Sequence, residues 1–121
     1  MDKFAFHNTD PRELARRRRL ASARLDRERE RQSLVAKLAF TQHRATQLRA
    51  WIGAFEGQGA VARSPELTRM LDWARGQLEM LDAEIDPVRV AQTLFDRNLF
   101  PEVDELHDPF GDPPPHQPWG R

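Results

Sequence analysis

Apolar side chains recur at alternating steps of four and three residues along two stretches of the chain. The first stretch consists of Leu34, Leu38, Thr41, Ala45, Leu48, Ile52 and Phe55, and the second of Leu67, Leu71, Ala74, Leu78, Leu81 and Ile85. This spacing places each set in one seam along an α-helix. Gly57 and Gly59 lie between the two stretches and give the chain the freedom to reverse. The pattern predicts an all-α fold built on an antiparallel helical hairpin or coiled coil.

Three start signals divide the chain into helices. Asp10, Ser64 and Asp86 each stand directly before a proline, and a capping side chain followed by proline is typical of a helix N-terminus. We predict helices over residues 11–55, 65–85 and 87–98. The first would be roughly 68 Å long at 1.5 Å per residue, so it must lie against something for much of its length.

The third helix should begin after a break, because the residue before a proline avoids the α conformation. The seam spacing continues through Val88, Gln92, Phe95 and Leu99, which suggests that the third helix runs along the same face of the first helix. If Phe55 faces Leu67 in the hairpin, this third helix lies near residues 23–33.

We divide the chain into a lead of residues 1–9, a helical hairpin domain of residues 10–100 and a tail of residues 101–121. The tail contains six of the nine prolines and several carboxylates. Proline at this density disfavours both helix and sheet, so we predict an extended, polyproline-like tail.

The composition restricts the class of protein. A chain of 121 residues has room for one small domain. It has no cysteine, which excludes disulfides, thiolate chemistry and the usual structural zinc sites. No run of about 18 apolar residues occurs, so we expect no membrane span. The first ten residues do not have the pattern of a secretory signal, and we expect a cytoplasmic protein.

The net charge of zero conceals a division between the two halves of the chain. Residues 1–63 carry 14 Lys and Arg against 7 Asp and Glu, whereas residues 64–121 carry 5 against 12. Nine arginines lie within residues 12–31, where the backward extension of the seam is mostly basic. Residues 12–31 therefore lack an apolar seam that could be buried against another helix.

Two interpretations of the arginine-rich segment remain open. A basic helix can contact phosphates of nucleic acid, and the candidate contacts would be Arg16, Arg17, Arg18, Arg19, Arg24, Arg27 and Arg31. Alternatively, these arginines pair with neighbouring acids or with the acidic C-terminal third. We favour the second interpretation, because no aromatic residue is interleaved for base stacking.

Large apolar residues beside the seams, and aromatic residues in the tail, are candidates for a protein interface. They are Phe40, Trp51, Met70, Trp73, Met80, Phe110 and Trp119. A two-helix hairpin buries only its seam, so the residues beside it need the third helix, the lead, a second copy or another protein as cover. A proline-rich tail with single aromatic residues has the form of a short docking peptide.

Catalytic patterns are weak. The four histidines are far apart in the sequence, and none forms a helical metal pair with a glutamate. We expect no enzyme, no metal, no cofactor and no small-molecule substrate. The sequence favours a non-enzymatic adaptor, assembly factor or accessory subunit that binds a protein or a second copy of itself. The alternative is a nucleic-acid-binding protein that uses residues 12–31.

Overall fold

The computed structural model describes residues 10–59 and 64–114. They form three α-helices, α1 (Pro11–Glu56), α2 (Pro65–Glu84) and α3 (Pro87–Asp96). No strand occurs among the described residues, and no helix there combines the length and hydropathy needed to cross a membrane. The predicted all-α fold is confirmed, and each helix ends within two residues of its predicted position.

The three predicted caps start the three helices. Each cap side chain accepts a hydrogen bond from an amide of the first turn: Asp10 from Arg12 at 3.0 Å, Ser64 from Leu67 at 3.2 Å, and Asp86 from Arg89 at 3.2 Å. The proline that follows each cap lacks the amide proton that would have no partner at this position. The helix boundaries are therefore determined locally.

The described residues fall into two compact units that share α1. The first unit contains residues 10–31 and 101–114, and the second contains residues 32–59 and 64–100. The boundaries predicted from the sequence at residues 9 and 100 stay a prediction, since the lead of residues 1–9 lies outside the described residues.

The core of the second unit lies between α1 and α2. Ile52, Leu71 and Ala74 are buried there, and Leu48, Phe55 and Leu78 pack around them. All six belong to the predicted seams, which is why α1 and α2 form the predicted hairpin. Two ion pairs connect the helices along one side of this core, Arg49 with Asp82 at 2.7 Å and Arg75 with Glu56.

These ion pairs correct the expected register of the hairpin. Glu56 at the end of α1 pairs with Arg75, well inside α2, whereas the sequence suggested that Phe55 faces Leu67. The first turns of α2 therefore extend past the end of α1. As a result α3 lies beside residues 33–41 of α1, where Ser33, Lys37 and Thr41 form a groove with residues of α3. The expectation of residues 23–33 was wrong by about two to three turns.

The face that α3 buries also differs from the expectation. Val88 and Phe95 are exposed, while Val90 and Leu94 are partly buried. The break at Asp86 reorients the helix, so the apolar spacing of α2 does not continue into it. Val88 and Phe95 therefore add exposed apolar surface instead of covering α1.

A turn at Asn98 ends α3 two residues before the predicted position. Asn98 has a positive φ of 50°, and its amide donates to the Phe95 carbonyl oxygen while the Leu99 amide donates to that of Leu94, both at 3.1 Å. This is the Schellman motif, which satisfies the last carbonyl groups of a helix. The motif directs Leu99 into a buried position.

Replacement of Leu71 by alanine tests the hairpin core. Leu71 has no exposed surface, so Leu71→Ala should lower the free energy of unfolding by about 2–5 kcal/mol. The measurement is urea denaturation followed by circular dichroism. The matched control is Val88→Ala at an exposed position, which should change stability by less than about 0.5 kcal/mol. Equal effects of the two variants would contradict the described core.

Candidate functional site

The first unit is held together by a buried ion pair. Arg17 Nε of α1 donates to Asp108 Oδ2 of the tail at 2.8 Å, and only 2% and 1% of the two side chains is exposed. The two residues are 91 positions apart in the sequence. A charge this deeply buried is tolerated only when it is paired and its remaining polar atoms have partners. The pair therefore anchors the tail to α1.

A turn in the tail shapes the site around Arg17. The Phe110 amide donates to Asp108 Oδ1 at 2.9 Å, and the Gly111 amide donates to the Asp108 carbonyl oxygen at 3.1 Å. Gly111 has a φ of 76°, a conformation that glycine adopts without steric strain. The Gly111 carbonyl oxygen accepts from Arg17 Nη2 at 3.3 Å, and the Phe110 ring centroid lies 5.5 Å from Arg17 Cζ. The guanidinium thus contacts a carboxylate, a carbonyl group and an aromatic ring.

Two further arginines bind the tail along the same side of α1. Arg24 donates to the Leu106 carbonyl oxygen and to Asp112 Oδ1, both at 2.6 Å. Arg27 donates to Asp104 Oδ1 at 2.9 Å. We call Arg17, Arg24 and Arg27 the arginine stripe. These positions are separated by seven and three residues, so the three side chains lie along one face of α1.

The arginine stripe lowers the pKa of two tail carboxylates. The hydrogen bond from Arg27, with a second from the Leu106 amide, lowers the pKa of Asp104 below its usual value. Burial alone would raise the pKa of Asp108, but the hydrogen bonds from Arg17 and the Phe110 amide outweigh it, and the net direction is downward. The same hydrogen bond to Asp104 raises the pKa of Arg27. Each partner stabilises the charged form of the other.

The other candidate phosphate contacts are not gathered into one surface. Arg16 pairs with Glu13 at 2.6 Å, Arg31 approaches Glu28 at 3.5 Å, and Arg18 donates to the Pro114 carbonyl oxygen at 3.2 Å. Arg19 is exposed. Six of the seven arginines selected from the sequence therefore contact acceptors of this same chain.

The candidate interface residues of the second unit lie on one side of the hairpin. Their helical positions place all five on the flank of the seams opposite to the Arg49–Asp82 ion pair. We call this set the apolar flank: Phe40 and Trp51 on α1, and Met70, Trp73 and Met80 on α2. The exposed fractions are 65% for Phe40, 41% for Trp51, 67% for Trp73 and 62% for Met80, whereas Met70 is partly buried. The structure thus brings together residues that the sequence only suggested separately.

Phe110 and Trp119, the two tail residues selected from the sequence, do not belong to the apolar flank. Phe110 belongs to the first unit and contacts Arg17, and Trp119 lies outside the described residues. Asp108 and Gly111 were not selected from the sequence, although they are essential to the docked turn. The Asp-Pro-Phe-Gly segment is a turn signal that would have indicated them.

Side chains that could ligate a metal do not cluster in the described residues. Among residues 10–59 and 64–114, no group of three or more His, Cys, Asp and Glu side chains is close enough to hold a metal ion. Comparison with protein-family models, curated proteins and solved structures gives no match. The arrangement itself, a charged docking site and an exposed apolar flank, is therefore the basis for a functional proposal.

Replacement of Asp108 tests the anchor of the tail. Asp108→Asn leaves the buried Arg17 charge without a counter-ion, and loss of one partner of a buried pair costs roughly 3–5 kcal/mol. We expect amide hydrogen exchange of residues 106–111 to become at least about tenfold faster. The matched control is Asp112→Asn, because Asp112 is 83% exposed in its pair with Arg24 and exposed pairs contribute about 0–1 kcal/mol. Equal exchange rates in the two variants would show that Asp108 is not the anchor.

Acid should release the tail. Because the pKa values of Asp104 and Asp108 are lowered in the folded chain, their contribution to stability is present above the usual pKa of Asp. It is lost as the pH falls below about 4 and through the lowered values. The amide resonances of Phe110 and Gly111, followed by NMR from pH 7 to pH 2, should report the release. A transition near pH 6 would contradict this linkage.

Proposed function

We propose that this chain is a non-enzymatic protein–protein interaction module, an adaptor, assembly factor or accessory subunit, which binds its partner through the apolar flank. The observation that carries the proposal is the exposure of Phe40, Trp51, Trp73 and Met80 on one side of a hairpin whose core is already complete. Monomeric proteins rarely leave a large contiguous apolar surface in water without a function for it. Tryptophan and methionine are also enriched in the cores of protein interfaces.

The position of α3 supports this proposal. The sequence left open that the third helix covers the apolar flank. Phe95 and Val88 of α3 are themselves exposed, and α3 lies beside residues 33–41 of α1. Trp51 and Trp73, farther along the hairpin, remain open to solvent for a partner.

The docked tail supports a second binding element. Arg17 and Asp108 hold the turn of residues 108–111 in one conformation, with Phe110 partly open to solvent at its edge. A partner that binds this turn meets an ordered segment, so less conformational entropy is lost on binding. Binding of another protein to the tail is an extension of the same proposal.

The nucleic-acid alternative receives less support. A phosphate-binding helix needs cations that are free to replace counter-ions, and most of the candidate arginines already contact acceptors of the chain. We also propose a cytoplasmic location, with which the absence of cysteine is compatible. Binding of this kind requires no cofactor and no small-molecule substrate.

Site-specific photo-crosslinking in the cells that express this chain tests the proposal. A photoreactive phenylalanine analogue at position 73 should give covalent adducts with a protein, because Trp73 belongs to the apolar flank and is 67% exposed. The matched control is the same analogue at Glu79, an exposed position of α2 that lies outside the apolar flank.

A second substitution makes the test specific to the flank. Met80→Lys should reduce the adduct at position 73 severalfold, because a desolvated charge opposes an apolar interface. Val88→Lys on α3 should leave the adduct unchanged. Equal yields at positions 73 and 79, insensitive to both substitutions, would contradict the proposed function.

A further inference from the structure

We propose that the apolar flank is covered by a second copy of this chain, packed so that α1 of each copy lies against α2 of the other. The two-fold axis then runs parallel to the hairpin, and the result is an antiparallel four-helix bundle. The inference rests on the proposed function, because it names the partner that binds the same flank.

The register of the hairpin supports this arrangement. The Arg49–Asp82 and Glu56–Arg75 pairs place Trp51 at the same height along the hairpin as Met80. A two-fold rotation about an axis parallel to the helices preserves height and exchanges the two sides of the flank. Trp51 of one copy then meets Met80 of the other, and Met80 meets Trp51 in return. Trp51 and Met80 are therefore self-complementary under this symmetry.

The charges along the flank favour the same pairing. Beside the apolar residues, α1 carries Lys37 and Arg44, whereas α2 carries Glu66 and Glu84, and all four are exposed. Stacking α1 on α2 of the second copy brings one cation to one carboxylate, because Arg44 then lies within one turn of the height of Glu84. Stacking α1 on α1 would place the two basic rows against each other, which is unfavourable.

The two flanks of the hairpin differ in whether their charged side chains form ion pairs within the chain. On the flank opposite to the apolar residues, Arg49 pairs with Asp82 and Arg75 with Glu56 inside one chain. Within the described residues, neither Arg44 nor Glu84 forms an ion pair. Arg44 and Glu84 are therefore available to a second copy, whereas Glu66 pairs with Arg69 at 3.5 Å inside the chain.

The exposed apolar area supplies about half of what a standard dimer interface buries. Aromatic side chains of roughly 150–250 Å² each, at the exposed fractions of this flank, offer roughly 400–500 Å² per copy together with Met80. A standard interface buries about 800 Å² per partner, and the polar residues that border the flank supply the remainder.

The mass of the purified full-length chain, measured by sedimentation equilibrium over a range of micromolar concentrations, tests the inference. We expect a species of twice 14.1 kDa that dissociates on dilution. Met80→Lys should convert it to the monomer while circular dichroism and urea denaturation show that the helices remain folded, since Met80 lies outside the buried core and is 62% exposed.

Exchange of the charges at Arg44 and Glu84 tests whether the partner is a second copy in the proposed arrangement. Arg44→Glu alone and Glu84→Arg alone should each weaken the dimer roughly tenfold, since each substitution replaces two symmetry-related attractive contacts by repulsive ones. The double variant should recover the wild-type dissociation constant. The matched control is Glu79→Arg, the same charge change on another face of α2, which should have no effect.

Two results would overturn the inference. One is a wild-type chain that stays monomeric at every concentration, and the other is a dimer whose charge-exchange variant is not restored. Either result leaves the proposed function standing if position 73 crosslinks to a different protein. The absence of any adduct at position 73 would remove the proposed function itself, so the two failures are distinguishable.

Discussion

The requirement that a 46-residue helix be covered along its length shapes the whole structure. Helix propensity alone leaves isolated helices marginal in water, and most helical stability in proteins comes from packing against another element. The chain meets this requirement in two chemically different ways. Residues 32–56 bury an apolar seam under α2 and α3, whereas residues 11–31 receive the tail through arginines. The two compact units reflect these two kinds of contact.

The ionic half depends on the properties of arginine. A guanidinium group presents several N–H donors in a fixed plane, and it can bind a carboxylate, a carbonyl oxygen and an aromatic ring together. Arg17 does all three with Asp108, Gly111 and Phe110. Lysine at this position could satisfy fewer of these acceptors. The prolines of the tail reduce the conformational freedom that docking removes, so a few charged hydrogen bonds are enough to hold a segment without secondary structure.

The apolar flank of the hairpin is not covered by any other described part of its unit. The seam of the hairpin is buried and the charges of one flank are paired within the chain, yet the other flank presents tryptophan, phenylalanine and methionine to water beside charges of opposite sign on the two helices. In a monomer this distribution is unfavourable, because it leaves apolar area exposed to water. The same distribution is favourable once a second surface desolvates it. The asymmetry between the flanks is thus the physical basis of the proposal that this hairpin binds a second surface.

Local signals in the sequence determined the helices. The caps Asp10, Ser64 and Asp86, the prolines after them and the seam spacing act over a few residues, so the helix starts, the hairpin and the core residues Ile52, Leu71 and Ala74 could be predicted. The candidate residues of the apolar flank also follow from helical periodicity. Only the tertiary structure decided the register of the hairpin, because the length of chain used by the link is not encoded in the seams.

Tertiary contacts likewise decided which side α3 buries and where the tail lies. Val88 and Phe95 fit the seam spacing but face solvent, since the break at Asp86 reorients the helix. The opposite charges of the two halves suggested contact between the arginines and the acidic third. Attraction between charges acts over a long range, so it does not specify which residues pair. The pairing of Arg17 with Asp108 depends on the turn at Gly111 and on burial. Both arise only when residues 91 positions apart are brought together by the fold.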